Sequence, residues 1–146
     1  MNGLTDIKRV IDETCKRFGV EILFTFGSRA KEIYRLVKGE RPLDRTATSD
    51  VDIGIKTRPS TALSVREKVQ LGMALEDILG VNRVDLCLLN EVDPFVAVNI
   101  IRGERLYCDD SYRADEYELY ILRRAGDLAF LERERLNLIF GESRGD

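Results

Sequence analysis

The sequence predicts an α/β (α+β) fold with a small mixed β-sheet of three to five strands, helices packed mainly on one face, and a long C-terminal helix. Short apolar runs typical of strands alternate along the chain with segments in which apolar residues recur at helical spacing. The chain has 146 residues, a length that suits one domain with a sizeable core. We therefore expect a single domain over 1–146, with its central part over about 20–90 and the long helix over about 111–139.

The first part of the chain predicts a helix, a strand and a second helix. Apolar residues recur at helical spacing over 4–18, while 21–26 is short, apolar and rich in residues that favour strands. Gly27-Ser28 is predicted to form the turn that leads into a helix over 29–37. The segment 38–49 is polar and mixed in charge, so it predicts an exposed loop.

The middle of the chain predicts two strands joined by a helix. Residues 51–56 alternate between apolar and polar side chains, which indicates a strand with one buried side. After Pro59 a helix is predicted to run to about Leu79, where Gly80 can end it. Residues 83–89 alternate in the same way and predict the next strand.

The last third of the chain predicts a short helix, a short edge strand and a long helix. Asp93-Pro94 places a capping residue before a proline, so a helix should begin there and end near Gly103. Residues 105–108 predict the edge strand. The long helix carries a broken apolar stripe, which we expect to pack mainly over the domain's own core, formed by Tyr117, Tyr120, Ile121, Leu128, Leu131 and Leu136.

Composition excludes several classes of function. The net charge is −3 with both signs interspersed, which argues against nucleic acid as a partner. The chain contains no histidine, so Ser-His-Asp catalysis, Cys-His catalysis and histidine metal sites are excluded. Any metal site must use oxygen ligands, which favour Mg²⁺ or Mn²⁺ over Zn²⁺.

The cysteines indicate a reducing compartment. Cys15, Cys87 and Cys108 are odd in number and far apart in sequence, so we expect reduced, buried side chains. Neither a signal peptide nor a long uncharged apolar stretch is recognisable. The expected localisation is cytoplasmic, without a membrane partner.

Three aspartates form the candidate catalytic and metal-binding set. Asp50 and Asp52 stand two residues apart at the head of one predicted strand, and Asp85 lies within another. Along both strands the apolar residues alternate with the aspartates and so point to the opposite face of the sheet. If the two strands are neighbours, all three carboxylates lie on one face. Clustered carboxylates repel one another unless a cation lies between them, and Mg²⁺ carrying a triphosphate is a natural occupant. The alternative is that each aspartate is simply solvated on a half-exposed sheet.

The Gly27-Ser28 turn is the candidate phosphate-binding element. It follows a predicted strand and precedes a predicted helix, so its backbone N–H groups and the helix start could face an anion, with the Ser28 hydroxyl as a further donor. Arg29 is the third candidate for nucleotide binding. An ordinary turn followed by a surface arginine would give the same residues.

Taken together, Gly-Ser, a helix, Asp-x-Asp and a later strand aspartate resemble the DNA polymerase β-like nucleotidyltransferase superfamily. The string Phe26-Gly27-Ser28-Arg29-Ala30 is most similar to its minimal nucleotidyltransferases, some of which are antitoxins paired with HEPN-type ribonuclease toxins. The resemblance spans about 21–89 and implies a palm-like nucleotidyltransferase fold. Two departures are Lys31-Glu32, where minimal members usually have a glycine nearby, and the longer stretch that precedes Asp50.

The resemblance implies specific roles and partners. Gly27 and Ser28 match the residues that hold the triphosphate, Asp50 and Asp52 match the metal-binding pair, and Asp85 matches the carboxylate that completes the site and helps activate the acceptor hydroxyl. The implied activity is Mg²⁺-dependent transfer of AMP from ATP, or of another NMP from its NTP, to a tyrosine of a HEPN-type toxin partner. A homodimer or a hetero-oligomer with the partner is compatible with this expectation.

The sequence leaves two other interpretations open. A non-enzymatic antitoxin could neutralise its partner by contact, through the acidic face or the long C-terminal helix. A nucleotidyltransferase could instead act on a small molecule or on RNA ends. The short chain shows no second substrate-binding domain, which disfavours both of these acceptors, and the balanced charge also disfavours RNA.

Overall fold

The computed structural model describes residues 3–40 and 50–140, which form five helices and four strands. The helices are α1 (Gly3–Phe18), α2 (Ala30–Val37), α3 (Val65–Leu79), α4 (Pro94–Ile101) and α5 (Ser111–Phe140), and the strands are β1 (Val20–Phe26), β2 (Val51–Thr57), β3 (Val84–Leu88) and β4 (Glu104–Cys108). Each predicted helix and strand is present within a few residues of its predicted bounds.

The described strands form one open mixed sheet in the order β3-β2-β1-β4. β1 runs antiparallel to both β2 and β4, whereas β2 and β3 are parallel. A parallel pair needs a crossover connection, and α3 provides it between β2 and β3. The predicted small mixed sheet, with β4 at its edge, is confirmed.

Two apolar clusters cover the two faces of this sheet. On one face, side chains of β1 and β2 such as Leu23 and Ile53 pack against α1, α2 and α3. On the other face, Ile22 and Phe24 pack against α4 and α5. Three of the five described helices thus lie on one face, as predicted. The opposite face is covered as well, by α4 and α5, because β1 is apolar on both sides.

The long helix α5 is buried only over its first half. Ala114, Ile121 and Ala125 are the buried residues of α5, and Tyr117 is half-buried against them. Beyond Gly126, large apolar side chains are exposed, among them Leu128, Phe130, Leu131, Leu136, Leu138 and Ile139. The expectation that the stripe covers the domain's own core is therefore wrong for Tyr120, which is 51% exposed, and for the second half of the helix, which extends past the residues that could bury it.

Some predictions fall outside the described residues. This is the case for most of the exposed loop predicted over 38–49. Within the described part of the chain, no helix combines the length and apolar character needed to cross a bilayer.

Candidate functional site

The pairing of β2 with β3 places Asp52 directly beside Asp85. The two residues are register partners in the parallel pair, and neighbouring strands lie about 4.8 Å apart. Asp52 alternates along β2 with the buried Val51 and Ile53, so its side chain points to the opposite face of the sheet. Its register partner Asp85 points to the same face. Asp52 is half-buried and Asp85 is exposed. Two of the three predicted carboxylates are therefore adjacent and accessible.

Asp50 lies at the same end of the sheet but interacts with a cation. It precedes β2 beside Arg83, and its Oδ2 is 3.6 Å from the Arg83 Nε. Over residues 3–40 and 50–140, no group of three or more acidic or thiol side chains is arranged to hold a metal ion. The structure thus brings Asp52 and Asp85 together, while the third carboxylate is directed towards Arg83.

The electrostatics of the site favour a bound cation. The pKa of Asp52 is raised, first by its burial and then by the negative charges of Asp85 and Asp50. The pKa of the nearby Cys87 thiol is also raised, first by its burial and then by the negative charges of Asp85 and Asp52. A cation would relieve this repulsion, and the carboxylate oxygens are the donors that Mg²⁺ and Mn²⁺ prefer. The chemistry of the donor set therefore fits a hard divalent ion.

The Gly27-Ser28 turn lies against the Asp52 carboxylate. Phe26, the last residue of β1, is the register partner of Asp52. Gly27 has a φ of 80°, and a Cβ at this position would lie 2.3 Å from Asp52 Oδ2. Ser28 is exposed, and Arg29 is the N-cap residue of α2. The candidate phosphate-binding turn thus lies directly against the Asp52 carboxylate.

Arg29 is hydrogen-bonded to Glu32. Its side chain is buried, and its Nε and Nη2 donate to the two carboxylate oxygens of Glu32 at 2.9 and 3.0 Å. This bidentate ion pair between residues three apart stabilises the first turn of α2. Of the three predicted nucleotide-binding residues, Gly27 lies against the Asp52 carboxylate, Ser28 follows it and is exposed, and Arg29 is hydrogen-bonded to Glu32.

A cavity of about 420 Å³ opens on the other side of the turn. It is lined by Phe26, Gly27, Ser28, Ala30, Lys31, Asn99, Arg102, Gly103 and Glu104. Sequence reasoning missed the α4 contribution of Asn99 and Arg102. Asn99 lies within the otherwise apolar α4, and Arg102 directly follows this helix. Helical residues three apart face the same side, so this spacing was the signal in the sequence that could have found them.

Gly103 explains why the end of α4 reaches this cavity. A Cβ on Gly103 would lie 2.1 Å from the Thr25 carbonyl oxygen and 2.9 Å from Phe26 Cα. The chain therefore passes directly over the end of β1, and only glycine allows that approach. As a result, Arg102 lies next to the Gly27-Ser28 turn.

Comparison with known proteins gives the same fold. A polymerase β nucleotidyltransferase family model matches residues 8–112, and no curated protein sequence matches. A mutant of the toxin–antitoxin pair MntA-HpeT has a TM-score of 0.60 at 16% identity, covering 94% of this chain and 98% of that chain. A toxin–antitoxin structure with AMP-PNP has a TM-score of 0.58 at 18% identity, covering 93% and 98%.

A third similar structure is a complex of the tri-AMPylated HEPN toxin of Shewanella oneidensis with an MNT antitoxin. Its TM-score is 0.57 at 15% identity, with coverage of 96% of this chain and 98% of that chain. These likenesses concern the fold, and they confirm the predicted palm-like architecture with a long C-terminal helix. The family model covers well over half of the residues, so the chain belongs to the polymerase β nucleotidyltransferase family.

Proposed function

We propose that this protein transfers AMP from ATP to a hydroxyl group of a HEPN-type toxin and so acts as its antitoxin. The observation that carries the proposal is the contact between the Gly27-Ser28 turn and Asp52, with Asp85 beside it on the next strand. Support for the nucleotide and the partner comes from similar structures, one with AMP-PNP and one with an AMPylated HEPN toxin.

In the proposed site, the chain's own groups position the triphosphate. The N–H groups of the Gly27-Ser28 turn and the Ser28 hydroxyl donate to phosphate oxygens. Asp52 and Asp85, joined by Asp50, would hold Mg²⁺, or Mn²⁺ in its place, which supplies neutralisation of the charge on the phosphates. Positioning and charge neutralisation are most of what phosphoryl and nucleotidyl transfer requires of a protein.

Asp85 serves as the base in this proposal. It is exposed, so an acceptor hydroxyl from another protein can approach it. Its carboxylate takes the hydroxyl proton while the hydroxyl oxygen forms a bond to the α-phosphorus of ATP. The bond from the α-phosphorus to the oxygen that bridges to the β-phosphorus breaks, and pyrophosphate leaves with that electron pair.

Labelling with ATP carrying ³²P at the α-phosphate tests the proposal. The purified protein is incubated with Mg²⁺ and labelled ATP, with and without the product of the neighbouring gene. We expect label on the partner with the wild type, and none with Asp52→Asn or Asp85→Asn. Asp77→Asn removes an exposed carboxylate of α3 and serves as the matched control, which should label normally. Full labelling by both site variants would refute the role of the carboxylates.

The exposed second half of α5 supports a second candidate, an antitoxin that acts by contact alone. Phe130, Leu131 and Leu138 expose 57%, 59% and 86% of their surface, which is unusual for large apolar side chains clustered on one helix. If this candidate holds, Asp52→Asn still binds and neutralises the partner without nucleotide. Loss of neutralisation in Asp52→Asn, with binding retained, would favour the enzyme.

A further inference from the structure

The helix α5 carries one heptad pattern along its whole length. Its buried residues Ala114, Ile121 and Ala125 are separated by seven and then four positions, and they pack into the core. Steps of three and four residues keep side chains on one side of a helix. The same steps continue through the second half of α5, where they reach Leu128, Glu132, Arg135 and Ile139. The second half therefore continues the side that the first half buries.

This side of the second half is apolar at both ends and exposed in the described chain. Leu128 and Ile139 expose 38% and 59% of their surface, and the neighbouring Leu131 and Leu138 expose 59% and 86%. At 1.5 Å per residue, 128–139 spans about 18 Å of helix. An apolar helix side of this length favours a second helix packed along it.

Two opposite charges lie at the centre of this side. The side chains of Glu132 and Arg135 are 55% and 65% exposed, and Arg135 Nη2 donates to Glu132 Oε1 at 2.6 Å. A second copy in parallel would place Glu132 against Glu132 and Arg135 against Arg135, and like charges at such positions repel. An antiparallel copy places each Glu132 against an Arg135. The charges therefore favour an antiparallel second copy of the same helix.

We propose that the second half of α5 is a homodimerisation surface, on which a second copy of this chain packs as an antiparallel coiled coil. The twofold axis passes midway along 128–139. Leu128 then packs against Ile139 of the second copy, and Glu132 pairs with Arg135 of the second copy. The twofold axis repeats both contacts, so the ion pairs lie at the centre between two apolar layers. Charged pairs within such a seam fix the register and orientation of the two helices.

Apolar side chains also flank the seam on both sides. In an antiparallel pair centred at the same point, Leu131 lies beside Leu138 of the second copy on one side. Ala129 lies beside Leu136 of the second copy on the other side. The dimer thus covers Leu131, Leu136 and Leu138, which are exposed in the single chain.

Sedimentation equilibrium of the full chain, from about 1 µM to about 1 mM protein, tests this proposal. We expect the wild type to approach twice the monomer mass as its concentration rises. Arg135→Glu and Glu132→Arg each place like charges opposite one another, so each should raise the dissociation constant of the dimer more than about tenfold. Arg133→Glu makes the same charge change on an exposed residue away from the seam and should dimerise as the wild type does.

A mixture of the two seam variants separates contact between copies from a local effect on the helix. Arg135→Glu leaves only negative charge at the centre of its seam, and Glu132→Arg leaves only positive charge. Neither variant regains its own ion pair on mixing, but each finds opposite charges on the other. We therefore expect an equimolar mixture to form a heterodimer at concentrations where each variant alone is monomeric.

Three results would overturn the dimer on α5. The first is a wild type that stays monomeric over the whole range, which would leave the exposed surface open to a different protein. The second is a dimer that Arg135→Glu and Glu132→Arg weaken no more than Arg133→Glu does. The third is a mixture of the seam variants that stays monomeric where the wild type is dimeric.

Discussion

At residue scale, Gly27 is constrained by both its backbone and its neighbour. Its φ is 80°, and the Asp52 carboxylate occupies the space that a side chain would need. We expect Gly27→Ala to abolish nucleotide transfer, because the new methyl group displaces Asp52 and the left-handed backbone disfavours alanine by about 1 kcal/mol. The labelling assay and a urea unfolding curve measure the two effects.

Gly80→Ala is the matched control for this substitution. Gly80 also has a positive φ, of 69°, but apart from its two chain neighbours no residue in 3–40 or 50–140 has an atom within 4 Å of a Cβ placed there. We expect a similar loss of stability and full transfer activity. If Gly27→Ala transfers AMP as well as Gly80→Ala does, the turn is not part of the site.

The ion pair between Asp50 and Arg83 should oppose metal binding. Arg83 Nε lies 3.6 Å from Asp50 Oδ2, so the arginine would compete with the proposed metal ion for this carboxylate. We expect Arg83→Gln to lower the Mg²⁺ concentration needed for half-maximal transfer by a few-fold, a modest effect because the Arg83 side chain is 73% exposed. A Mg²⁺ titration of the labelling rate measures it, with the exposed Arg66→Gln as control. A requirement for more Mg²⁺ in Arg83→Gln contradicts the competition.

At the scale of single elements, the start of α3 offers a clean measure of local stability. The Ser64 Oγ accepts from the Glu67 amide at 3.1 Å, and the Glu67 carboxylate accepts from the Ser64 amide at 3.0 Å. We expect Ser64→Ala to lower the free energy of unfolding by about 1 kcal/mol in urea titrations. Ser64→Thr keeps the hydroxyl and should retain most of that stability. Equal destabilisation by both variants would mean that the cap contributes little.

The elements also show what the sequence could and could not predict. Alternation over 51–56 predicted β2 and its buried face, and Asp93-Pro94 predicted the start of α4, because both signals are local. The face shared by Asp52 and Asp85 followed from parity once the two strands were assumed to be neighbours. The Asp50–Arg83 pair and the α4 wall of the cavity could not be predicted. They depend on strand register and on the approach of Gly103 to Thr25, which local patterns do not contain.

At the scale of the whole molecule, the carboxylate cluster should reduce stability in the absence of metal. Burial and two nearby charges raise the pKa of Asp52, so its ionised form is disfavoured in the folded state. We expect Asp52→Asn to raise the unfolding temperature at pH 7–8 in EDTA. The difference should shrink as pH falls towards the ordinary aspartate pKa of about 4, since the wild-type carboxyl is then protonated. Thermal unfolding across this range measures it, with Asp77→Asn as control; a less stable Asp52→Asn at pH 8 contradicts it.

The second half of α5 should be dispensable for folding. Ala114, Ile121 and Ala125 are the buried residues of this helix, and all lie before Gly126. We expect a chain ending at Asp127 to unfold within a few degrees of the full protein by calorimetry. By contrast, Ile121→Ala should cost about 2–5 kcal/mol, because it removes a buried side chain. A large loss of stability on truncation would show that these exposed residues support the fold.

The spread of the site over the chain has a kinetic consequence. Gly27 follows β1, Asp52 lies in β2, Asp85 in β3, and Arg102 after α4, so no short segment contains a partial site. Contacts between residues so distant in sequence form late, because their loops must close first. On the proposed function, nucleotide binding would therefore report completed tertiary structure. A nascent chain released just before Arg102 would carry all three carboxylates and the Gly-Ser turn, and would still lack the wall that α4 provides.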